Sequence, residues 1–271
     1  MCPELEYSSE ARVCYPPGRR LTGTLLIILL VGGAVFGTGA RASEALADTI
    51  PRVKPAVVAV GTYEPTRRPP AAIRGTGFVV TDGLTVVTNA HVLPASLNGE
   101  RRETLALFFR RGKSVERREA RRIDVDEQHD IAILRTGGTP LPAMSLSGDA
   151  MVREGTTVAF TGFPIGAALG LTPVTHTGIV SSITPIAIPQ DRSEHLSSKI
   201  IKRLNAPFNV LQLDAVAYPG NSGSPVFDVR SGKVLGIVSM VFVKGSKEAM
   251  LEHPSGITYA IPVRYLRALL R

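Results

Sequence analysis

The sequence predicts an all-β fold, a barrel or sandwich of many short strands, over residues 48–271. Three observations lead there. Apolar and β-branched runs of four to nine residues recur along the chain, each bounded by Gly, Pro or other turn residues. These runs do not alternate with helical patterns, as βα units would require. No internal repeat with a period of about 20–50 residues is visible.

In chain order, strands are expected at 56–63, 77–80, 105–109, 131–134, 157–161, 175–183, 210–213 and 233–241. The first, Ala-Val-Val-Ala-Val-Gly-Thr-Tyr, follows Pro55, and the last contains Val-Leu-Gly-Ile-Val after a Ser-Gly turn. Two helices interrupt the pattern. Asp191-x-x-Glu194 resembles a capping box, followed by Leu196, Ile200, Ile201 and Leu204 on one face. Pro262, followed by Val263, Tyr265, Leu266, Leu269 and Leu270, reads as a terminal amphipathic helix with proline at its first turn.

Residues 1–47 read as an address rather than as part of the fold. Arg19 and Arg20 precede an uncharged apolar run at 25–36, and Ala40-Arg41-Ala42 and Ala45-Leu46-Ala47 follow. A positive segment, an apolar segment and small-x-small sites are the signature of a secretory signal, which predicts mature termini at Ser43 or Asp48. The alternative is a retained anchor associated with the inner membrane, because a helix over 21–40 would rise about 30 Å, enough to span a bilayer. Both readings export the domain to the periplasm or cell envelope.

The chain has 271 residues and a formal net charge of +8. Residues 100–122 hold nine Lys or Arg against four Glu, which reads first as a solvated, charged hairpin and second as a contact for an anionic partner. Only Phe108 and Phe109 accompany these arginines, so no nucleic-acid partner is expected. Both cysteines, Cys2 and Cys14, lie before the apolar run. The exported domain therefore has no disulfide and no Cys-based zinc site. His129, His176, His195 and His253 lack metal-ligand spacing and read as ordinary surface or strand residues, so neither a metal nor an organic cofactor is expected.

Three stretches supply the parts of a nucleophilic centre. They are Val87-Thr88-Asn89-Ala90-His91-Val92, His129-Asp130-Ile131-Ala132-Ile133-Leu134 and Gly220-Asn221-Ser222-Gly223-Ser224-Pro225. A serine hydroxyl becomes a nucleophile when a histidine takes its proton and an aspartate orients that histidine. Singly, His91 reads as a core histidine beside a turn, Asp130 as a strand-end charge and Ser222 as a turn residue. Jointly and in this order they point to acyl transfer.

These stretches, together with Gly75-Thr76-Gly77-Phe78-Val79-Val80, Thr177-Gly178-Ile179-Val180-Ser181, Gly236-Ile237-Val238-Ser239 and Ile257-Thr258-Tyr259-Ala260-Ile261-Pro262, resemble trypsin-like serine proteases, most closely the bacterial HtrA/Deg protease domain. The resemblance covers nearly all of 50–271. It implies two antiparallel β-barrels, at about 50–140 and 150–262, a terminal helix at 263–271 and an active site in the cleft between the barrels. It implies catalysis by His91, Asp130 and Ser222, with the N–H groups of Gly220 and Ser222 as the oxyanion hole. The pocket for the side chain before the cleaved bond would be Val216, Ala217, Tyr218, Ser239, Met240, Val241 and Gly256, apolar and suited to small or medium aliphatics.

Departures refine this reading. Asn221 stands where vertebrate-type trypsins have an aspartate, and no Ile-Val-Gly-Gly-like start is present, so activation by N-terminal insertion is not expected. Ser224 replaces the second glycine of Gly-x-Ser-Gly-Gly, as in glutamyl endopeptidases, but Val238 stands where those carry a histidine. HtrA proteins usually continue into PDZ domains; here the chain ends at Arg271, and capture by a PDZ domain is not expected. The 183–212 segment would correspond to a loop that sets oxyanion-hole competence. The resemblance thus implies an exported serine endopeptidase with protein or peptide substrates. The alternative is a catalytically idle, peptide-binding or chaperone-like envelope protein. The oligomeric state stays open.

Overall fold

The structure is a computed structural model, which describes residues 38–165, 170–185, 207–240 and 256–271. The chain divides into two units, residues 1–36 and 37–271, and the second holds every described residue. The predicted helix after Asp191, most of the 183–212 segment, His195, Val241 and His253 lie outside the described residues, as does most of the 21–40 apolar stretch.

The all-β expectation holds in the form of two closed antiparallel barrels of six strands. The first comprises β1 (Val57–Tyr63), β2 (Ala71–Val80), β3 (Thr85–Thr88), β4 (Thr104–Arg111), β5 (Ser114–Asp126) and β6 (Ile131–Thr136). The second comprises β7 (Thr157–Gly162), β8 (Val174–Pro185), β9 (Asn209–Asp214), β10 (Pro225–Asp228), β11 (Val234–Val238) and β12 (Ile257–Pro262). Each closes in the same order, its six strands running first, second, third, sixth, fifth, fourth around the barrel. Closure removes the unpaired edges that open sheets expose.

The strands' apolar runs follow from which cores they face. Side chains alternate across a strand, so a run without polar breaks must be buried on both sides. Val58 and Val60 of β1 and Val79 of β2 fill the first barrel with Leu107, Leu134 and Val86. Their neighbours Val57, Ala59, Phe78 and Val80 face outward into a second cluster with Phe227, Ile237 and Ile261 of the other barrel. A third cluster, including Phe160, Leu211, Leu213 and Val238, fills the second barrel.

β5 escaped the sequence reading for the complementary reason. Of its thirteen residues only Ala120 is buried, so no apolar run announces it. It is placed by pairing with β4 and β6, and the arginine-rich segment is indeed a hairpin of β4 and β5. Arg117 lies over the Tyr63 ring, Arg118 stacks on Phe109, and Arg111 pairs with Glu116 at 3.0 Å.

Helices close both ends of the described domain. The terminal helix, α2 (Val263–Leu269), follows Pro262 as predicted and buries Val263 and Leu266. An N-terminal helix, α1 (Thr38–Val53), crosses the boundary expected at residue 48. It belongs to the domain's packing: Leu46 and Val53 join the core between the barrels, and buried Thr49 donates its hydroxyl to the Arg230 carbonyl at 3.2 Å. Arg52 Nη2 donates to Thr49 Oγ1 and to the same carbonyl. Among the described residues no helix is long and apolar enough to cross a membrane.

Candidate active site

His91 sits in a 3₁₀ turn, Ala90–Val92, at the exit of β3. The preceding Asn89 is fully buried and extended, and its Nδ2 donates to the Asp130 carbonyl at 2.9 Å. Ala90 N–H donates to the same oxygen at 3.2 Å. These two bonds hold the turn bearing His91 against the turn bearing Asp130, which precedes β6.

Asp130 is buried, 1% exposed, in a left-handed backbone conformation with φ 57°. Its carboxylate takes three donors. His91 N–H reaches Oδ1 at 3.0 Å, and His91 Nδ1–H reaches Oδ2 at 2.7 Å. The Ser239 hydroxyl donates to Oδ2 at 2.9 Å. A buried carboxylate is costly unless it is hydrogen-bonded, and these donors offset that cost. On the far side of the ring, His91 Nε2 lies 2.9 Å from Ser222 Oγ, so the hydroxyl donates to the lone pair that Asp130 leaves free.

The turn that carries Ser222 belongs to the second barrel but is held by the first. Thr76 of β2 is buried; its N–H donates to the Ser222 carbonyl at 2.8 Å and its hydroxyl to the Gly220 carbonyl at 2.7 Å. Thr76 Oγ1 also accepts Phe163 N–H at 3.0 Å. Gly223 is at φ 87°, where a Cβ would lie 2.0 Å from the Thr76 carbonyl oxygen, so only glycine lets the turn press this closely on β2. Gly220 has φ 102°, and the Pro219 carbonyl is engaged by Ile165 N–H at 2.6 Å. Among the described residues the N–H groups of Gly220 and Ser222 have no partner.

The expected pocket residues are brought together in part. Ala217 is buried in the second barrel's core, Met240 packs on that core, and Val216 and Tyr218 are half-buried. Gly256 is exposed, and its carbonyl accepts Ala215 N–H at 3.0 Å, which joins the two walls. Ser239, expected in the pocket wall, also bonds to Asp130 at 2.9 Å. Its side chain is fully buried and turned to Asp130, while its N–H donates to the Tyr259 carbonyl at 3.0 Å.

Two histidines read as ordinary also prove to be placed. His176 of β8 stacks on Phe160 at 4.9 Å and lies 6.0 Å from the Tyr218 ring. Burial holds its imidazole below the ordinary value of 6.5, and its buried Nε2 has no partner among the described residues. His129 is bonded to Asp126 through Nδ1 at 2.6 Å. No period or motif marks His176, and His129 stands in its stretch only as the neighbour of Asp130. Among the described residues no group of three or more His, Cys, Asp or Glu could hold a metal ion.

Residues 75–237 match the family described as "Trypsin-like peptidase domain". Similar proteins include a serine protease HTRA1A of Danio rerio, 31% identical over 229 residues, covering 83% of this chain and 40% of that protein. A probable periplasmic serine endoprotease DegP-like of Halomonas elongata is 28% identical over 189 residues, covering 70% of this chain and 32% of its own length. The chain thus spans well under half the length of these relatives. In solved structures, an HtrA-type protease AlgW variant with a tripeptide matches with a TM-score of 0.58 at 22% identity, covering 83% of this chain and 62% of that one. The serine endoprotease from Yersinia pestis matches with a TM-score of 0.57 at 23% identity, covering 83% and 65%. At those identities the structural likeness concerns the fold.

Proposed function

The chain belongs to the trypsin-like peptidase family, and on that premise we propose that it is an exported serine endopeptidase that cleaves proteins or peptides through an acyl-enzyme. The observation that carries the reading is the unbroken hydrogen-bonded line from Asp130 through His91 to Ser222, with steps of 2.7 and 2.9 Å.

Each residue then has one task. As Ser222 Oγ attacks the substrate carbonyl carbon, its proton passes to His91 Nε2. Asp130, oriented by its three donors, stabilises the imidazolium and fixes its tautomer. The carbonyl oxygen, now negative, is received by the N–H groups of Gly220 and Ser222, and loss of one such donor costs about 3 kcal/mol of transition-state stabilisation. His91 returns the proton to the leaving amine and the acyl group stays on Oγ. A water, deprotonated by His91, then releases the acid and restores the serine.

The substrate pocket of Val216, Ala217, Tyr218, Ser239, Met240, Val241 and Gly256 carries no carboxylate, so Lys or Arg side chains would lose water without gaining a partner. Small or medium aliphatics fit such a site, with soft discrimination of about 1–3 kcal/mol per methylene. Residues upstream of the domain serve export, as a cleaved signal or an anchor. The periplasmic description of the Halomonas relative supports that compartment.

The test is a peptide-library digest by wild type and Ser222→Ala, paired with labelling by a fluorophosphonate. Cleavage after aliphatic residues and labelling of wild type alone are expected. A folded Ser222→Ala protein with undiminished cleavage would refute the assignment.

A further inference from the structure

The turn before β6 contains a second aspartate–histidine grip, built like the first and joined to it by one peptide bond. Asp130 takes His91 N–H on Oδ1 at 3.0 Å and His91 Nδ1–H on Oδ2 at 2.7 Å. Asp126 takes His129 N–H on Oδ1 at 3.0 Å and His129 Nδ1–H on Oδ2 at 2.6 Å. Among the described residues, no serine hydroxyl is bonded to the second pair. Its imidazole is wedged instead between two aromatic rings. Tyr265 of α2 stacks on it at 4.1 Å and 17°, and Phe208, just before β9, meets it edge-on at 4.6 Å. Phe208 and Tyr265 touch each other at 5.2 Å, and Arg264 donates to the Tyr265 hydroxyl at 2.7 Å.

His129 is therefore tied on one side to the first barrel, through Asp126, and on the other to the second barrel and its terminal helix. It is also the residue bonded to Asp130, whose φ of 57° is uncommon for a side chain other than glycine and persists only when the surroundings impose it. We propose that Asp126 and His129 form a positioning pair: the Asp126 bond fixes the direction of the Asp130 carboxylate, while the stack with Phe208 and Tyr265 contributes stability. The proposal rests on the peptidase reading of His91, Asp130 and Ser222. His129 touches no substrate; it acts through the backbone it shares with Asp130.

Two variants of the full chain separate its two attachments. His129→Phe keeps an aromatic ring between Phe208 and Tyr265 and removes the donor to Asp126. His129→Gln keeps an amide donor and removes the stack. Sites are counted by fluorophosphonate titration, so that kcat is expressed per reactive serine, and melting temperature is read alongside. The expected result is that His129→Phe melts close to wild type yet loses at least about tenfold in kcat, with KM little changed, because small displacements at a reacting centre are costly. His129→Gln should melt lower and recover most of that kcat. A purely structural histidine gives the reverse: both variants lose active sites in step with melting temperature and keep kcat per site. That outcome, or a His129→Phe protein within twofold of wild-type kcat, would overturn the proposal while leaving the peptidase reading intact. A wild-type chain that neither labels nor cleaves would overturn both.

Discussion

Three side chains converge although they are 39 and 131 positions apart, and each is placed by neighbours with no direct part in the chemistry. Removing any of the three should abolish nearly all activity. Ser222→Ala, His91→Ala and Asp130→Asn are each expected to fold, and their effects on kcat should not add, because the three act as a unit. Double variants assayed beside the singles check this. Thr76→Val is the matching test of the supporting residues. It strips the Gly220 carbonyl and the Phe163 N–H of their shared hydroxyl and should cost about 1–3 kcal/mol in urea unfolding, with a loss of kcat. His91, Asp130 and Ser222 were legible because each stands in a motif. The bond from Ser239 to Asp130 was not, since it joins residues 109 positions apart and leaves no mark in the local pattern.

Strands buried on both faces announced themselves, as 56–63 and 157–161 show against β1 and β7. β5 did not, because its position comes from its partners and not from its own burial. The reach of α1 was also missed. Its first residues carry the small-x-small pattern of a cleavage site, and its packing is visible only once Arg230 and the inter-barrel core are present. Processing after Ala47 would remove Leu46 from that core, whereas processing after Ala42 would keep it. If the upstream segment is cleaved, the mature terminus is therefore expected at Ser43, and N-terminal sequencing of the purified protein checks it. Strand β8 carries a pH prediction. Burial lowers the His176 value, so the unfolded chain takes up the proton first. Folding stability should be full above about 6.5 and fall as pH drops through the lower folded value. His176→Phe should flatten that slope in denaturant titrations at a series of pH values.

The two barrels share one strand order and, between them, one apolar cluster to which both contribute. Truncating that cluster should therefore be felt by both. Phe78→Ala is expected to cost about 3–5 kcal/mol, and fluorescence and far-UV signals should still trace a single unfolding transition. Two resolved transitions would mean that the barrels hold independently. The same division has a consequence for how the chain is made. His91 and Asp130 come from the half synthesised first, while Ser222, and the Ser239 hydroxyl that steadies Asp130, come from the half synthesised last. Thr76, which clamps the serine turn, again belongs to the early half. A nascent chain, or one threaded unfolded through a translocation pore, therefore holds no working set of these groups. On the proposed peptidase reading, proteolytic activity would arrive only when the final strands close, and an incomplete chain would be harmless to itself and its neighbours.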